Sequence, residues 1–268
     1  MAMLELGPGE GLYHEFAAPA EGGRTFVFVN ALTGSTAMWQ DEIGPRLRDA
    51  GHGTLVYDFR GQAQSPFRPE TALDADLIVG DLLALLKAVA PPRPLLVGLS
   101  IGGLFAARAW LAGGQGEGLV LINTLRRPGP RLDWINRAMI KAVAAGGTRL
   151  LLDMYMPLLV NQERLDEICG DFLDEAPYEP LDPAHGHCNL MTHAATADWD
   201  LPYEDLDLPT LVITGLQDRV FYDEADVAAL AARLPRGRRL DMADAGHLIP
   251  AERPAATAAA LLDFAAWL

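Results

Sequence analysis

The segment from Pro94 to Leu111 reads PLLVGLSIGGLFAARAWL and contains one serine, Ser100. Its first six residues are apolar, as in a strand buried on both faces, and IGGLFAARAWL has the length and composition of a helix. Gly98 and Gly102 lie two residues before and two residues after the serine. A sharp turn from strand to helix needs such small neighbours and holds the serine in a strained conformation. We therefore predict that Ser100 is a nucleophile; the alternative is a helix N-cap without chemistry.

Short apolar runs alternate with longer amphipathic ones along most of the chain. The predicted strands are Thr25 to Asn30, Thr54 to Asp58, Pro94 to Leu99, Gly118 to Asn123 and Thr210 to Gly215. The predicted helices are Ala37 to Ala50, Leu73 to Ala90, Ser100 to Ala112, Asp223 to Leu234 and Pro254 to Leu268. Nearly continuous apolar strands separated by helices are typical of a mostly parallel central sheet with helices on both faces. The sequence therefore predicts the α/β class.

The segment 124–201 interrupts this alternation, because it contains no convincing buried strand. Within it we predict helices over Leu132 to Ala145, Leu150 to Met156 and Gln162 to Asp174. We therefore expect a core formed by residues 1–123 and 202–268, with 124–201 as a helical insertion between two strands. Four large apolar residues of the insertion are candidates for one wall of a substrate pocket: Trp134, Met139, Met154 and Met191. The alternative for each is simple packing of the insertion onto the core.

A serine hydroxyl is a weak nucleophile at neutral pH, so it needs a base, and the base needs an orienting acid. His247 is the best candidate for the base, since it lies in a short loop before the final helix. Asp218 is the best candidate for the acid, because it follows the strand TLVITG and active-site groups gather at the carboxyl ends of parallel strands. Asp244 and Asp223 are its competitors: Asp244 is too close in sequence to His247, and Asp223 suits a helix cap.

The oxyanion of a tetrahedral intermediate also needs hydrogen-bond donors. One candidate is the backbone N–H of Ile101, at the positive end of the helix that starts there. The other is the backbone N–H of Leu32, in the loop after the strand TFVFVN. The segment His185-Gly186-His187-Cys188 offers metal-ligating side chains, but three ligands within four positions cannot all reach one ion comfortably. We therefore predict neither a metal site nor a cofactor.

Together these motifs resemble those of the α/β-hydrolase fold superfamily with a helical cap, over nearly the whole chain. The order serine, aspartate, histidine is that of this family. The segment 58–65, DFRGQAQS, is similar to the family turn D-x-R-G-x-G-x-S, and Gly246-His247 followed by Glu252 and Pro254 is similar to its G-H-x-x-x-x-E-x-P ending. The resemblance implies a serine hydrolase of the α/β-hydrolase fold.

Two positions depart from the family pattern. Asn30-Ala31 replaces the usual His-Gly before the oxyanion residue, which resembles the Asn-Ser-Leu of enol-lactone hydrolases, and Met38-Trp39 falls about where those enzymes carry the same pair. We expect Asn30 to leave the backbone donor of Leu32 in place, because that donor does not depend on a side chain. Ala63 stands where the turn has a second glycine, and it costs little stability if its φ is negative.

Composition narrows the class of partner. The 268 residues are 50% hydrophobic and 21% charged, the balance of a globular protein, and the formal net charge is −15. Such an acidic chain repels nucleic-acid phosphates and anionic membranes, so we expect neither as a partner. No stretch approaches the length of a membrane-spanning helix and no signal peptide is evident, so we expect a cytoplasmic protein. The two cysteines, Cys169 and Cys188, are expected to be free thiols.

The leading hypothesis is therefore a hydrolase of a small carboxylic ester or lactone that works through an acyl-enzyme. A carbon–carbon bond hydrolase or an acyltransferase with the same triad stays open, and so does a non-catalytic protein that binds a small ligand. Four arginines of the insertion could hold a substrate carboxylate, although solvated helix faces are the favoured interpretation: Arg126, Arg127, Arg131 and Arg137. The sequence does not determine the oligomeric state.

Overall fold

The computed structural model describes residues 1–173 and 175–268. Its strands are β1 (Ala2–Gly7), β2 (Glu10–Ala17), β3 (Thr25–Val29), β4 (Gly53–Tyr57), β5 (Pro94–Leu99), β6 (Gly118–Ile122), β7 (Thr210–Gly215) and β8 (Gly237–Met242). They form one eight-stranded sheet in the order β1-β2-β4-β3-β5-β6-β7-β8. All pairs from β4 to β8 are parallel, whereas β2 runs antiparallel to both β1 and β4. The predicted mostly parallel sheet is therefore confirmed.

The helices cover both faces of this sheet. They are α1 (Ala37–Gln40), α2 (Ile43–Asp49), α3 (Ala75–Val89), α4 (Ile101–Leu111), α5 (Pro130–Leu159), α6 (Gln162–Ile168), α7 (Gly186–His193), α8 (Glu224–Ala231), α9 (Ile249–Glu252) and α10 (Pro254–Trp267). Strand β3 shows how the two cores arise, because Phe26 and Phe28 pack on the face of α2 and α10 while Val27 and Val29 pack on the face of α3 and α4. Side chains alternate between faces along a strand, so a strand covered on both sides is apolar throughout.

Several helix boundaries differ from the prediction. The helix predicted over Ala37 to Ala50 is two helices, α1 and α2. Two predicted helices of the insertion are joined in α5, which is broken at Gly146 and Gly147, where φ is −151° and +71°. The helix predicted from Gln162 ends at Ile168 and continues as a 3₁₀ turn to Asp171; its predicted end, Asp174, lies outside the described residues.

The described part of the segment between Ile122 and Thr210 forms helices, 3₁₀ turns and loops and no strand. The C-terminal end of α5 approaches the loops that follow β7 and β8: the N–H of Arg219 donates to the carbonyl of Leu158 over 2.9 Å, and the N–H of His247 donates to that of Leu159 over 2.5 Å. This inserted segment is thus bonded directly to the edge of the sheet at which strands β5 to β8 end.

The turn after β4 corrects one expectation. Ala63 has φ of +36°, so the condition for a low cost is not met. A Cβ atom in this left-handed region meets the following carbonyl, which costs roughly 1–2 kcal/mol. The turn itself is bound firmly, because the Ser65 hydroxyl donates to the carbonyl of Asp58 over 2.7 Å and accepts the N–H of Tyr13 over 2.9 Å. The other residues of the motif therefore hold Ala63 in its strained conformation.

Candidate active site

Ser100 lies at the junction of β5 and α4 with φ of +57° and ψ of −123°. An added Cβ at Gly98 would lie 2.3 Å from the backbone nitrogen of Gly103, and one at Gly102 would lie 2.3 Å from the carbonyl oxygen of Val29. No larger side chain fits at either position without moving backbone, which is why the predicted turn needs both glycines. A strained backbone of this kind costs about 1–3 kcal/mol and is typical of functional sites.

Neighbouring strand ends hold the serine in place. The N–H of Ser100 donates to the carbonyl of Ile122 at the end of β6 over 2.7 Å. The Thr124 hydroxyl donates to the carbonyl of Ser100 over 3.0 Å. These bonds fix the backbone on both sides of the Cα atom, so the side chain of Ser100 projects from a rigid position.

Asp218 and His247 lie together at the same edge of the sheet, both buried. The Asp218 Oδ2 atom is 2.6 Å from the His247 Nδ1 atom. The Asp218 Oδ1 atom accepts two backbone N–H groups, those of Val220 and Phe221, each over 2.9 Å. Burial acts to raise the pKa of Asp218, but the charge and hydrogen bond of His247 and the N–H of Phe221 outweigh it and hold the pKa below its ordinary value. The carboxylate is therefore ionised and orients the imidazole.

The His247 loop is held by a buried carboxylate, Glu252. Its Oε2 atom accepts the N–H groups of Gly246 over 2.8 Å and of Asn161 over 2.7 Å, and its Oε1 atom accepts the N–H of Leu248 over 2.8 Å. Glu252 thus bonds the residues on both sides of His247 and joins them to the inserted segment. This explains the physical role of the glutamate in the G-H-x-x-x-x-E pattern.

Asn123 is a positioning residue that the sequence analysis did not identify, because no acid–base role pointed to it. Its Nδ2 atom donates to the carbonyls of Gly246 and His247, each over 2.9 Å, and its Oδ1 atom accepts the N–H of Gly215 over 2.8 Å. The side chain therefore ties the ends of β6 and β7 to the histidine loop. Asn123 has φ of +47°, a left-handed conformation that asparagine adopts more readily than most residues.

The loop that carries Leu32 is held by a buried amide network around Asn30. The Asn30 Nδ2 atom donates to the carbonyl of Tyr57 over 2.9 Å, and its Oδ1 atom accepts the Trp39 indole N–H over 2.8 Å. The Gln62 Nε2 atom donates to the carbonyls of Ala31 and Leu32, each over 2.8 Å. The backbone N–H groups of Leu32 and Ile101 have no acceptor among the described residues. Asn30 therefore fixes the loop and leaves the predicted donors free.

One cavity of about 520 Å³ joins these groups, since Ser100, His247, Leu32 and Ile101 all line it. A volume of this size suits a small-molecule ligand. Of the four predicted pocket residues, Met139 and Met191 line the cavity.

The other two predicted pocket residues, Trp134 and Met154, do not line the cavity, and their prediction is corrected. Their side chains are 79% and 53% exposed on the outer surface of α5. Successive helical residues differ by about 100° in direction, so Tyr155, next to Met154, faces the cavity whereas Met154 faces outward. Composition suggested an apolar wall, but only the orientation of the helix selects its members.

Arg126 differs most from its predicted environment. The sequence favours a solvated helix face for this arginine, yet Arg126 is only 6% exposed and lies in the loop after β6. Its Nη2 atom donates to the Ser100 Oγ atom over 2.6 Å. Arg127, Arg131 and Arg137 are exposed, as expected of solvated residues. Within the described part of the chain, the Ser100 Oγ atom has no hydrogen bond to His247; the bond to Arg126 takes its place.

Two further findings concern the described residues as a whole. In residues 1–173 and 175–268, no group of three or more His, Cys, Asp or Glu residues has the arrangement needed to hold a metal ion. None of the helices in these ranges is both long enough and apolar enough to span a membrane.

Known proteins resemble this chain in sequence and in fold. The family model for the alpha/beta hydrolase fold matches residues 24–254. The RutD protein of Variovorax paradoxus, which is named as a carbamate hydrolase, is 36% identical over 77% of this chain and 78% of its own length. A 3-oxoadipate enol-lactonase of Acinetobacter baylyi is 26% identical over 86% of this chain and 84% of its own length. The enol-lactonase structure from Burkholderia xenovorans shares the fold, with a TM-score of 0.76, 23% identity and 96% of each chain covered. The chain therefore belongs to the α/β-hydrolase fold family and is a hydrolase.

Proposed function

We propose that this hydrolase cleaves a small carboxylic ester or lactone through a triad of Ser100, His247 and Asp218. The observation that supports the triad most strongly is the buried Asp218–His247 pair, 2.6 Å apart, at the cavity in which Ser100 occupies a strained turn. A lactone or ester substrate accords with the relatives named as enol-lactonases, and another relative is named as a carbamate hydrolase.

The reaction proceeds in two halves. The Ser100 Oγ atom attacks the substrate carbonyl while its proton passes to the His247 Nε2 atom, and the N–H groups of Leu32 and Ile101 bind the oxyanion. The imidazolium then protonates the leaving alkoxide, the carbon–oxygen bond breaks, and an acyl-enzyme remains. Water attacks this ester with His247 as the base, which releases the carboxylic acid and restores the serine. Asp218 holds the imidazole tautomer throughout.

The inserted segment 124–201 acts as the cap in this proposal. It contributes Met139 and Met191 to the cavity, and the N–H of His247 donates to its Leu159 carbonyl, which couples the position of the segment to the base. An apolar wall of this kind excludes bulk water and selects the shape of the acyl group. The ligand is accordingly a small molecule.

The decisive experiment compares the wild type with Ser100→Ala on p-nitrophenyl esters of increasing acyl length, and labels both with a fluorophosphonate. We expect hydrolysis and labelling by the wild type and neither by the variant. Ser35→Ala is the matched control, because Ser35 also lines the cavity. This control variant is expected to be both hydrolytically active and labelled. Labelling of the wild type without hydrolysis of any ester would indicate that the substrate is a lactone or another acyl compound. Absence of labelling in the wild type would refute the triad.

A further inference from the structure

The buried guanidinium of Arg126 lies beside the nucleophile and lines the cavity. Besides Ser100, its only hydrogen-bond partner in the described residues is the carbonyl of Asn123, 3.2 Å from the Nη2 atom. Its faces are covered by aromatic rings: the Cζ atom lies 3.7 Å from the centre of the Phe221 ring and 4.7 Å from that of Trp199. This environment fixes the plane of the guanidinium and leaves the residue only 6% exposed.

Within residues 1–173 and 175–268, no carboxylate forms a salt bridge with this buried charge. Among the described residues, the other buried arginine is Arg60, which pairs with the Asp81 carboxylate over 2.6 Å, whereas Arg126 has no such carboxylate partner. The carboxylate whose charge acts on Arg126 is that of Asp218, and both of its oxygens are bonded to His247 and backbone N–H groups. The Arg126 Nε atom is buried without any hydrogen-bond partner. A buried cation with an open donor is costly until an anion binds.

The charge is present under physiological conditions. Burial lowers the pKa of Arg126 from its ordinary value to about 10, and the charge of Asp218 opposes this shift. The guanidinium is therefore protonated at neutral pH. A protonated guanidinium presents N–H donors in a planar fork that matches a carboxylate.

We propose that Arg126 binds a carboxylate on the acyl part of the substrate, so that this hydrolase selects acyl groups bearing a second, ionised carboxyl group. The inference rests on the proposed function. It assigns the anion to the acyl part because Arg126 contacts the Oγ atom to which the acyl group becomes bonded, whereas the leaving group departs before the second half of the reaction. The carboxylate therefore lies within a few bonds of the scissile carbonyl.

The test compares monoethyl glutarate, which is anionic, with ethyl valerate, which is neutral and of equal acyl length. For each protein the ratio of kcat/KM on the anionic ester to kcat/KM on the neutral ester is measured. We expect this ratio to fall by about 10–100-fold in Arg126→Met, since a charge-assisted hydrogen bond is lost, and less in Arg126→Lys. Arg127→Met is the control, because Arg127 is exposed and faces Asp226 at 3.4 Å. An unchanged ratio in Arg126→Met, or a wild type that prefers the neutral ester, overturns the proposal.

A binding measurement separates this inference from the proposed chemistry. Glutarate itself cannot be hydrolysed, and if Arg126 is an anion site it raises the Tm of the wild type progressively as its concentration exceeds the Kd. The rise is expected to be absent in Arg126→Met and retained in Arg127→Met and Ser100→Ala. If glutarate stabilises the wild type but Ser100 is not labelled by a fluorophosphonate, the anion site stands and the serine mechanism fails. If Ser100 is labelled and glutarate has no effect, the serine mechanism stands and the anion site fails. Should Arg126→Met not fold, Arg126→Lys provides both comparisons.

Discussion

Asp218→Asn tests whether the buried acid–imidazole pair is catalytic, because the structure determines how the new amide must point. The Oδ1 position accepts the N–H groups of Val220 and Phe221, each over 2.9 Å. An amide NH₂ group there would face two donors, so the amide oxygen of the variant takes this position. The NH₂ group then faces the His247 Nδ1 atom at the Oδ2 position.

This orientation of the amide reverses the tautomer of the His247 imidazole. An NH₂ donor facing the Nδ1 atom favours the tautomer in which that atom accepts and the proton sits on the Nε2 atom. A protonated Nε2 atom cannot take the Ser100 proton, and the variant carries no charge to stabilise an imidazolium. We expect kcat to fall by about 10⁴-fold, which corresponds to about 5.5 kcal/mol of transition-state stabilisation.

The assay is steady-state hydrolysis of the best p-nitrophenyl ester, with the Tm measured in parallel to establish that the variant folds. Asp244→Asn is the matched control. The Asp244 carboxylate pairs with Arg253 over 2.7 Å at the surface, so its loss is expected to leave kcat nearly unchanged. A kcat for Asp218→Asn within tenfold of the wild type would refute the assigned role of Asp218. So would a larger loss in Asp244→Asn than in Asp218→Asn.

Two other variants test the supporting structure. Ala63→Gly removes a Cβ atom at φ of +36° and is expected to raise the free energy of unfolding by up to about 1 kcal/mol, because relief of strain exceeds the added chain entropy. Urea denaturation measures it, and Ala112→Gly, at φ of −77°, is expected to give no gain. Glu252→Gln replaces one acceptor oxygen by an NH₂ group, so one of three backbone N–H groups loses its partner. We expect the free energy of unfolding to fall by about 1–3 kcal/mol and kcat to fall as well. Unchanged values of both would contradict the role of Glu252 in holding the His247 loop.

The central strands could be predicted because each is covered by helices on both faces. Strands β5 and β7 match their predicted limits, β3 and β6 end one residue earlier, and β4 is shifted by one residue at both ends. The sequence analysis missed β1 and β2 and did not define β8, since these strands lie at or near the edges and are partly exposed. Strand β8 reads GRRLDM, with four exposed residues of six. An edge strand requires no continuous apolar run, so its pattern does not separate it from a loop.

The predicted triad residues lie at one edge of the sheet because each of them follows the end of a parallel strand. Ser100 follows β5 and Asp218 follows β7, and the parallel sheet brings these ends to one edge. The lining of the cavity was harder to predict. Whether Trp134 faces the cavity depends on the rotation of α5 about its axis, which packing against other elements sets. Arg126 is buried by rings from Trp199 and Phe221, residues distant from it in sequence.

The contact between Arg126 and Ser100 has a consequence for catalysis. The guanidinium donates to the Ser100 Oγ atom, whose electron pair must form the new bond to the substrate. As that pair moves into the carbon–oxygen bond, negative charge passes from the Oγ atom to the oxyanion at Leu32 and Ile101, and the bond from Arg126 weakens. An interaction stronger in the ground state than in the transition state slows the chemical step. A substrate carboxylate that takes over the donors of Arg126 before attack removes this cost, so in the proposed mechanism an anionic acyl group gains in kcat as well as in binding.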